Sequence, residues 1–380
     1  MPKNKKHHYV PKFYLKRFSS DKRSICLYNI PKQLYVKNAN LRNQCYQDYF
    51  YGKENTTEYA ISGMEGEISN LYRFIDNVNS LPPPFTDPHV ALVMSILIQL
   101  SRTKYQADAL DEMNDKLLKH VFKEKIESEF KDVNIDDYII GIKDVANYSM
   151  GLTVGNYPLL LDLRYKLLIN RTGVEFITSD NPIVMYNQLL SFRNIGSNTG
   201  LSVKGLQILF PLDPNKMIIM YDNKSYRVGN DGHNTVVLLN VKDVYNLNAL
   251  QACSCYENVY FNDPNQNVVA MHKKVKPFLR KDKSGIKVFP GQNTKYHKSE
   301  ILMNYREDIK FNLTLSFLST RISAKEWRSS IQKLKIQPAV FLRDEEYHKI
   351  VDEFNESVKS GTYSYTDFLK FMDAKIGQTT

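Results

Sequence analysis

The sequence predicts an α+β fold in which helices pack on a central, mostly antiparallel β-sheet, followed by a C-terminal helical extension. Hydrophobic spacing changes along the chain from short β-prone runs to helical periods, then to strands, and finally back to helices. Strands and helices thus occupy separate blocks, which argues against a doubly wound parallel sheet. Hydrophobic residues make up 42% and charged residues 24% of the 380 residues, which excludes a fibrous or mostly disordered protein.

Composition and periodicity divide the chain into five regions. They are a basic segment with a small hairpin (1–53), a helical region (54–154), a β-rich core (155–270), a basic loop (271–300) and a C-terminal helical region (301–380). The hairpin is expected from two β-prone runs, 24–30 and 34–36, that flank a turn beginning at Pro31.

Two long helices are predicted in the second region. Apolar residues recur at three- and four-residue steps from Ile61 to Tyr72, and a run of three prolines ends this helix. Thr86-Asp87-Pro88 combines a capping residue with a proline in the first turn, so it opens a second helix that runs to about residue 131, with a break allowed. Residues 133–156 are expected to form a linker.

The remaining elements follow from local patterns. Strands are expected at 165–170, 174–178, 207–210, 216–221 and 258–261. Helical spacing predicts helices at 241–252, 324–334 and 344–359, and a short one after Tyr365. The C-terminal helices carry no motif, so packing or contact with a protein partner is the expected role.

The positive charge is concentrated in two segments. The formal net charge is +10, and residues 1–53 contain twelve Lys and Arg against two Asp. Residues 271–300 contain nine Lys and Arg against two acidic residues. Such concentrated charge attracts polyanions, so nucleic acid or another phosphate-rich partner is expected. The alternative is a solvated lysine-rich surface without a partner.

Several classes of protein are excluded or disfavoured by what the sequence lacks. Four cysteines are too few for a disulfide scaffold, and Cys253-Ser-Cys255 has no second pair with zinc-ligand spacing. Neither an apolar signal segment nor a membrane span is visible, so we expect a cytoplasmic protein with no membrane partner. The P-loop, Rossmann, nucleophile-elbow and H-E-x-x-H motifs are missing, so no nucleotide cofactor is expected.

Polar residues in otherwise apolar settings are the candidates for chemistry. His8 follows His7 on an extended segment, where only one of the two can face a given pocket. Glu58 and Glu65 share one face of the first helix, and Gln99 and Arg102 share one face of the second. Each of these residues also has a purely structural interpretation, such as a buried ion pair or a solvated stripe.

The sharpest local signal is the run from Phe176 to Ile183. A hydrophobic strand ends there in Thr178-Ser179-Asp180-Asn181-Pro182, which places Asp180 and Asn181 on a loop at a strand tip. The Asp180 carboxylate suits a cation ligand, a base or a partner of His8. A turn in which Asp180 caps its own backbone fits the same residues.

The order of these motifs resembles that of a known bacterial family. The set consists of His7-His8-Tyr9-Val10-Pro11 with Tyr14, Leu15 and Phe18, then Phe50-Tyr51, Glu58 with Glu65, Gln99-x-x-Arg102-Thr103, Thr178-Ser179-Asp180-Asn181-Pro182 and Phe210-Pro211-Leu212. It spans roughly residues 7–265 and is similar to domain-of-unknown-function family 4238. One departure is Lys104, which stands where the family commonly has proline after Arg-Thr. The resemblance implies a shared architecture and no particular activity.

We expect the candidate residues to converge where the N-terminal segment crosses the helices and the sheet, and the chemistry that fits them is metal-assisted phosphodiester cleavage of RNA or DNA. The predicted catalytic residues are His8, Glu58, Glu65 and Asp180. Substrate or phosphate contacts are predicted for Gln99, Arg102, Asn181, Lys12 and Arg17. The predicted ligands of Mg²⁺ or Mn²⁺ are Glu58, Glu65 and Asp180.

Two other functions compete with a nuclease, which in a bacterial cytosol would suit a toxin or phage-defence effector. One is a non-catalytic module that binds nucleic acid or protein, with the same residues forming a structural polar network. The other is a hydrolase of a small nucleotide. The solvent exposure of the candidate residues distinguishes a catalytic function from the non-catalytic module. A catalytic cluster opens to a cleft, whereas a structural network is sealed and paired.

Overall fold

The computed structural model describes residues 5–54, 56–194, 198–280, 283–290, 300–335 and 337–377. Its helices are α1 Lys12–Leu15, α2 Thr56–Val78, α3 Asp87–Ser101, α4 Lys104–Glu129, α5 Val145–Val154, α6 Val241–Ser254, α7 Val268–Val275, α8 Ile322–Gln332, α9 Glu345–Lys359 and α10 Phe368–Gly377. Its strands are β1 Lys6–His8, β2 Ser24–Asn29, β3 Leu34–Asn40, β4 Tyr46–Asp48, β5 Arg164–Asn170, β6 Thr178–Ser179, β7 Val184–Tyr186, β8 Gln207–Asp213, β9 Lys216–Tyr221, β10 Tyr226–Val228, β11 Thr235–Leu238, β12 Asn258–Phe261, β13 Ser284–Pro290, β14 Glu300–Arg306 and β15 Leu318–Thr320.

The predicted α+β class is confirmed, and the central sheet consists of two sheets. A five-stranded sheet has the order β11-β5-β9-β8-β7, and a four-stranded sheet has the order β3-β2-β12-β6. All of their pairings are antiparallel except β11 with β5, which is parallel. Hairpin β2–β3 forms where the turn at Pro31 predicted it, and hairpin β8–β9 contains the strands expected at 207–210 and 216–221.

Helix α3 lies in the centre of the larger hydrophobic core. Leu92, Ile96 and Leu97 are fully buried, and the helix is apolar around almost its whole circumference. A helix of that kind is stable only when other elements surround it. The second long helix predicted from the sequence is interrupted, as the prediction allowed. The interruption lies at Arg102 and Thr103, where α3 ends and the Thr103 side chain caps α4.

Tyr14 on α1 ties the N-terminal segment to both sheets. Its hydroxyl donates to the carbonyl oxygen of Pro211 in β8 at 2.6 Å. Because its single proton is used there, it accepts from Thr178 Oγ1 in β6, also at 2.6 Å. The Tyr14 ring is fully buried and stacks on Phe210 with centroids 5.3 Å apart. The basic segment is therefore anchored in the core rather than attached as an arm.

Three local expectations were wrong. The stretch 133–156, expected to be a linker, contains α5, whose glycine and β-branched residues hide its helical period. Residues 174–177 are not a strand, and only Thr178–Ser179 pairs, with β12. The expected basic loop 271–300 contains the end of α7 and strand β13, which pairs with β14; residues 281–282 and 291–299 of this stretch lie outside the described residues.

In the part of the chain that the structure describes, no helix has both the length and the apolar composition needed to cross a membrane.

His89 on α3 makes stability depend on pH. Its ring is fully buried against Tyr165, with centroids 4.6 Å apart, and Nδ1 accepts from the Phe85 amide. Burial lowers the pKa of His89 from 6.5 to about 4. The unfolded chain therefore takes up this proton more readily than the folded one, so stability is lost as the pH falls through that window.

We expect His89 to account for about 3 kcal/mol of the stability lost between pH 6.5 and 4. His89→Asn removes the titrating ring and keeps an oxygen for the Phe85 amide, so urea unfolding of this variant should depend less on pH across that range. His233→Asn, at an exposed position, is the control. Equal pH dependence in wild type and His89→Asn would contradict the assignment.

Candidate functional site

A buried cation joins the N-terminal strand to α2 and α3. Arg102, only 2% exposed, donates through Nη2 to Glu65 Oε1 and to the carbonyl oxygen of His8, each at 2.7 Å. Its Nε donates to the Tyr51 hydroxyl at 3.0 Å. A buried guanidinium requires such partners, and they come from β1, α2 and the segment after β4. Arg102 therefore fixes three separate parts of the chain relative to one another.

Tyr51 and His7 complete this network, and sequence reasoning assigned neither of them to the site. Tyr51 donates its hydroxyl proton to the His8 carbonyl at 3.2 Å, and its ring stacks on His7 with centroids 5.7 Å apart. The His7 Nδ1 accepts from the Tyr51 amide at 3.1 Å. The sequence did contain a signal for Tyr51, because the Phe50-Tyr51 pair belongs to the motif set that resembles the family. His7 is the histidine of the pair that faces the core.

His8 lies at the edge of the network and carries a neutral imidazole. Its Nδ1 lies 3.0 Å from the Gln44 carbonyl oxygen and donates to it. Burial lowers the pKa of His8 to about 4, and the positive charge of Lys12 adds to the effect. The proton is therefore on Nδ1 at neutral pH. Nε2 is the basic nitrogen, and it has no hydrogen-bond partner among the described residues.

The other predicted residues of α2 and α3 lie close to this group. Gln99 donates from Nε2 to the Tyr9 carbonyl oxygen at 3.2 Å. Glu58 is buried in the first turn of α2, and its negative charge, like that of Glu65, helps to raise the pKa of Tyr51 to about 12, mainly an effect of burial. The structure thus brings His8, Glu58, Glu65, Gln99 and Arg102 together.

Asp180 and Asn181 lie next to the α3–α4 junction, where Asn181 contacts Thr103, and both have backbone partners. Both Asp180 carboxylate oxygens accept backbone N–H groups, from Tyr256, Glu257 and Asn258, at 2.8–2.9 Å. Burial raises the pKa of Asp180 to about 6, while these donors act in the opposite direction. Asn181 donates to the Ser254 carbonyl and accepts from Thr103 Oγ1 at 3.3 Å.

The three carboxylates predicted to bind a metal do not form a ligand set. Among the described residues, no group of three or more His, Cys, Asp or Glu is arranged to hold a metal ion. Glu65 is paired with Arg102, and the oxygens of Asp180 are used by the backbone. Glu58, Glu65 and Asp180 therefore have structural partners in this arrangement.

The space next to Arg102 is too small for a substrate. The cavity lined by Gln99, Arg102, Tyr14 and their apolar neighbours has a volume of about 10 Å³. That volume holds about one water molecule. Arg102 is therefore buried and hydrogen-bonded within the protein, and the cavity beside it has no room for a nucleotide.

An open cleft lies beside the network and is lined by cations. It has a volume of about 540 Å³ and is formed by Lys12 on α1, Lys16 directly after it, Lys22 and Arg23 before β2, and Arg42 after β3. We call this the basic cleft. All five side chains are exposed, and none forms an ion pair with another described residue. Among the described residues that line it, the only carboxylate belongs to Asp21, whose pKa is lowered by hydrogen bonds from Ser24 and Arg23.

Arg17, which was also predicted to contact phosphate, lies outside the basic cleft. Its guanidinium donates to both carboxylate oxygens of Asp76, at 2.8 and 2.9 Å, and to Asp213 at 3.0 Å. Its Nε donates to the Leu212 carbonyl oxygen. Arg17 therefore connects α1 to α2 and to the β8–β9 turn, whereas Lys12, five residues earlier, faces the open cleft.

The structure is that of an α+β protein in which a polar network centred on buried Arg102 lies beside an open basic cleft. The chain belongs to the family described as "Protein of unknown function (DUF4238)", which matches residues 6–265 and confirms the resemblance found in the sequence. The match includes every residue of the network and of the basic cleft and ends before α7. A search of curated proteins and a search of solved structures gave no match.

Arg102→Met keeps much of the side-chain volume and removes the cation. The His8 carbonyl and the Tyr51 hydroxyl then lose a buried partner, so we expect the free energy of unfolding in urea to fall by about 3 kcal/mol. Glu67→Ala, at an exposed position of α2, should change it by less than about 0.5 kcal/mol. Unchanged stability in Arg102→Met would contradict a structural role.

Proposed function

We propose that this protein binds nucleic acid in the basic cleft and that the buried network holds the walls of the cleft in place. The contrast between the two sites carries the proposal. Arg102 and its partners are hydrogen-bonded to one another, and the cavity beside them holds about one water, whereas the basic cleft is open at about 540 Å³. Five cations without ion pairs among the described residues suit a ligand with repeated negative charges.

The position of the cleft relative to the network supports this proposal. Arg102 holds the His8 carbonyl, and the chain then runs through Pro11 into α1, which carries Lys12. Tyr14 fixes the same helix to both sheets. Lys12 and Lys16 therefore project from a rigid base, so only their side chains lose freedom when a phosphate binds.

A metal-assisted phosphodiesterase is the second candidate. It is favoured by His8, whose unprotonated Nε2 is available and whose pKa is affected by the charge of Lys12 at the cleft. A neutral imidazole next to bound phosphate suits a general base. Mg²⁺ or Mn²⁺ would have to be held partly by the nucleic acid, because Glu65 and Asp180 already have partners in the protein.

We place this activity in the cytoplasm of a bacterium, where a nucleic-acid-binding or cleaving protein would suit a toxin or phage-defence system. The four cysteines support a reducing compartment, because all are free thiols.

Binding to single-stranded and double-stranded oligonucleotides should weaken steeply with salt. With five cations in contact, the logarithm of the association constant should fall with a slope of about −4 against the logarithm of salt concentration. The double variant Lys16→Ala/Arg23→Ala should reduce that slope by about 2 and weaken binding at least tenfold at low salt. Fluorescence anisotropy measures both.

Lys325→Ala/Lys349→Ala is the matched control, because it removes the same charge from exposed helix positions outside the basic cleft. Its slope and affinity should be close to those of wild type. A slope near zero in wild type, or equal losses in both double variants, would refute the basic cleft as the binding site.

A cleavage assay distinguishes the nucleic-acid-binding protein from the phosphodiesterase. Purified protein incubated with labelled RNA, DNA and mononucleotides, with and without Mg²⁺ or Mn²⁺, should give no turnover if the protein only binds. His8→Gln should then leave affinity within about twofold of wild type. Metal-dependent cleavage that is lost in a folded His8→Gln variant would instead establish the phosphodiesterase.

The variant Asp180→Asn tests whether Asp180 has a structural role. Its amide NH₂ would face backbone N–H donors, so the melting temperature should fall whichever candidate holds. Nucleic-acid affinity of the folded fraction should be unchanged.

A further inference from the structure

A second pocket lies at the other end of hairpin β2–β3. It has a volume of about 350 Å³ and is lined by Tyr105 of α4, Tyr256 before β12, and Lys276, Arg280 and Lys283 from the segment between α7 and β13. We call it the tyrosine pocket. Strand β2 separates it from the basic cleft, since Arg23 precedes this strand and Ile30 follows it. Six strand residues correspond to about 20 Å.

The cations of the tyrosine pocket lie over its aromatic rings. The Arg280 guanidinium is 4.8 Å from the centre of the Tyr105 ring, and the Lys283 ammonium is 5.0 Å from that of Tyr256. Lys276 is exposed and forms no ion pair with any other described residue. Among the described residues, no Asp or Glu lines this pocket. Its chemistry is therefore positive and aromatic together.

The hydroxyl of Tyr105 is a second, independent observation at this pocket. The residue is only 5% exposed, and its hydroxyl is fully buried without a hydrogen-bond partner among the described residues. A buried hydroxyl without a partner destabilises the folded protein, and such groups are uncommon. Because Tyr105 lines the pocket, a polar atom of a bound molecule could supply the missing bond.

We propose that the tyrosine pocket binds a nucleoside phosphate, with the base against Tyr105 and Tyr256 and the phosphate between Lys276 and Arg280. The volume lies within the range of small-molecule sites. An apolar ligand would leave Lys276 and Arg280 without an anion, whereas Lys283 already pairs with Asp108 at 3.5 Å. Inorganic phosphate alone would make no use of the two aromatic side chains. Aromatic rings that stack on bases, together with cations, are the usual features of nucleotide and single-strand recognition.

Two kinds of ligand carry a nucleoside phosphate that fits the tyrosine pocket. One is a free mononucleotide. The other is an unpaired nucleotide of a longer strand, and this source rests on the proposed function, because the rest of the strand would continue towards the basic cleft. Variants in the pocket and in the cleft separate the two sites, since neither shares a residue with the other.

The test uses AMP, UMP, adenosine, inorganic phosphate and a short single-stranded oligonucleotide, titrated by calorimetry into the full chain. Tyr105→Phe removes only the unpartnered hydroxyl, so it should lower nucleotide affinity about tenfold while the melting temperature stays equal or rises. Lys276→Glu should lower affinity at least tenfold. Lys273→Glu changes the same charge at an exposed position outside the pocket and should stay within twofold of wild type.

The outcomes distinguish the possibilities. Binding of AMP or UMP that both pocket variants weaken supports a free nucleotide. Binding of the oligonucleotide alone, weakened by both variants, supports the unpaired nucleotide. Affinities for all probes that neither variant changes would overturn the proposal, as would phosphate binding as tightly as AMP. Loss of oligonucleotide binding only in Lys16→Ala/Arg23→Ala, together with AMP and UMP affinities that the pocket variants do not change, would retain the basic cleft and overturn the tyrosine pocket.

Discussion

The burial of Arg102 is the constraint on which the arrangement of the N-terminal half depends. An arginine cannot lose its charge at physiological pH, and a buried charge destabilises the protein by several kcal/mol unless it is paired. Its partners, Glu65, Tyr51 and the His8 carbonyl, come from three parts of the chain that are far apart in sequence. All three must reach the end of α3 before the charge is satisfied, so the ion pair specifies how these parts meet.

The basic cleft follows from that constraint. Once the His8 carbonyl is held, Pro11 and α1 continue from a fixed point, and Tyr14 connects α1 to both sheets. Lys12 is then presented at the start of α1 and Lys16 directly after it, while Tyr14 and Leu15 of this helix are buried. The cations of the cleft are thus presented on a rigid base, and no described carboxylate forms an ion pair with them. The tyrosine pocket, beyond β2, depends on different elements, α4 and the segment after α7.

Convergence of polar residues is not by itself a sign of catalysis. His8, Glu58, Glu65, Gln99 and Arg102 do meet, but most of the polar atoms between them are used within the protein, and the cavity beside them has a volume of about 10 Å³. Asp180 shows the same principle, because three backbone amides occupy its carboxylate. Apolar surroundings in a sequence show that a polar residue needs a partner, and they do not show whether that partner is the protein or a ligand.

The sequence by itself determined the fold class, the longer strands of the two central sheets, most helices, the family and the polar residues that gather around α3, because hydrophobic period and motif order are local properties of the chain. It also located the positive charge in residues 1–53. Only the tertiary structure decided that Lys12 faces a cleft while Arg17 pairs with Asp76 and Asp213, and that His7 rather than His8 enters the core. The amino-acid composition does not distinguish a cation that pairs with a carboxylate from one that does not. The difference depends on which distant carboxylates the fold brings within hydrogen-bonding distance.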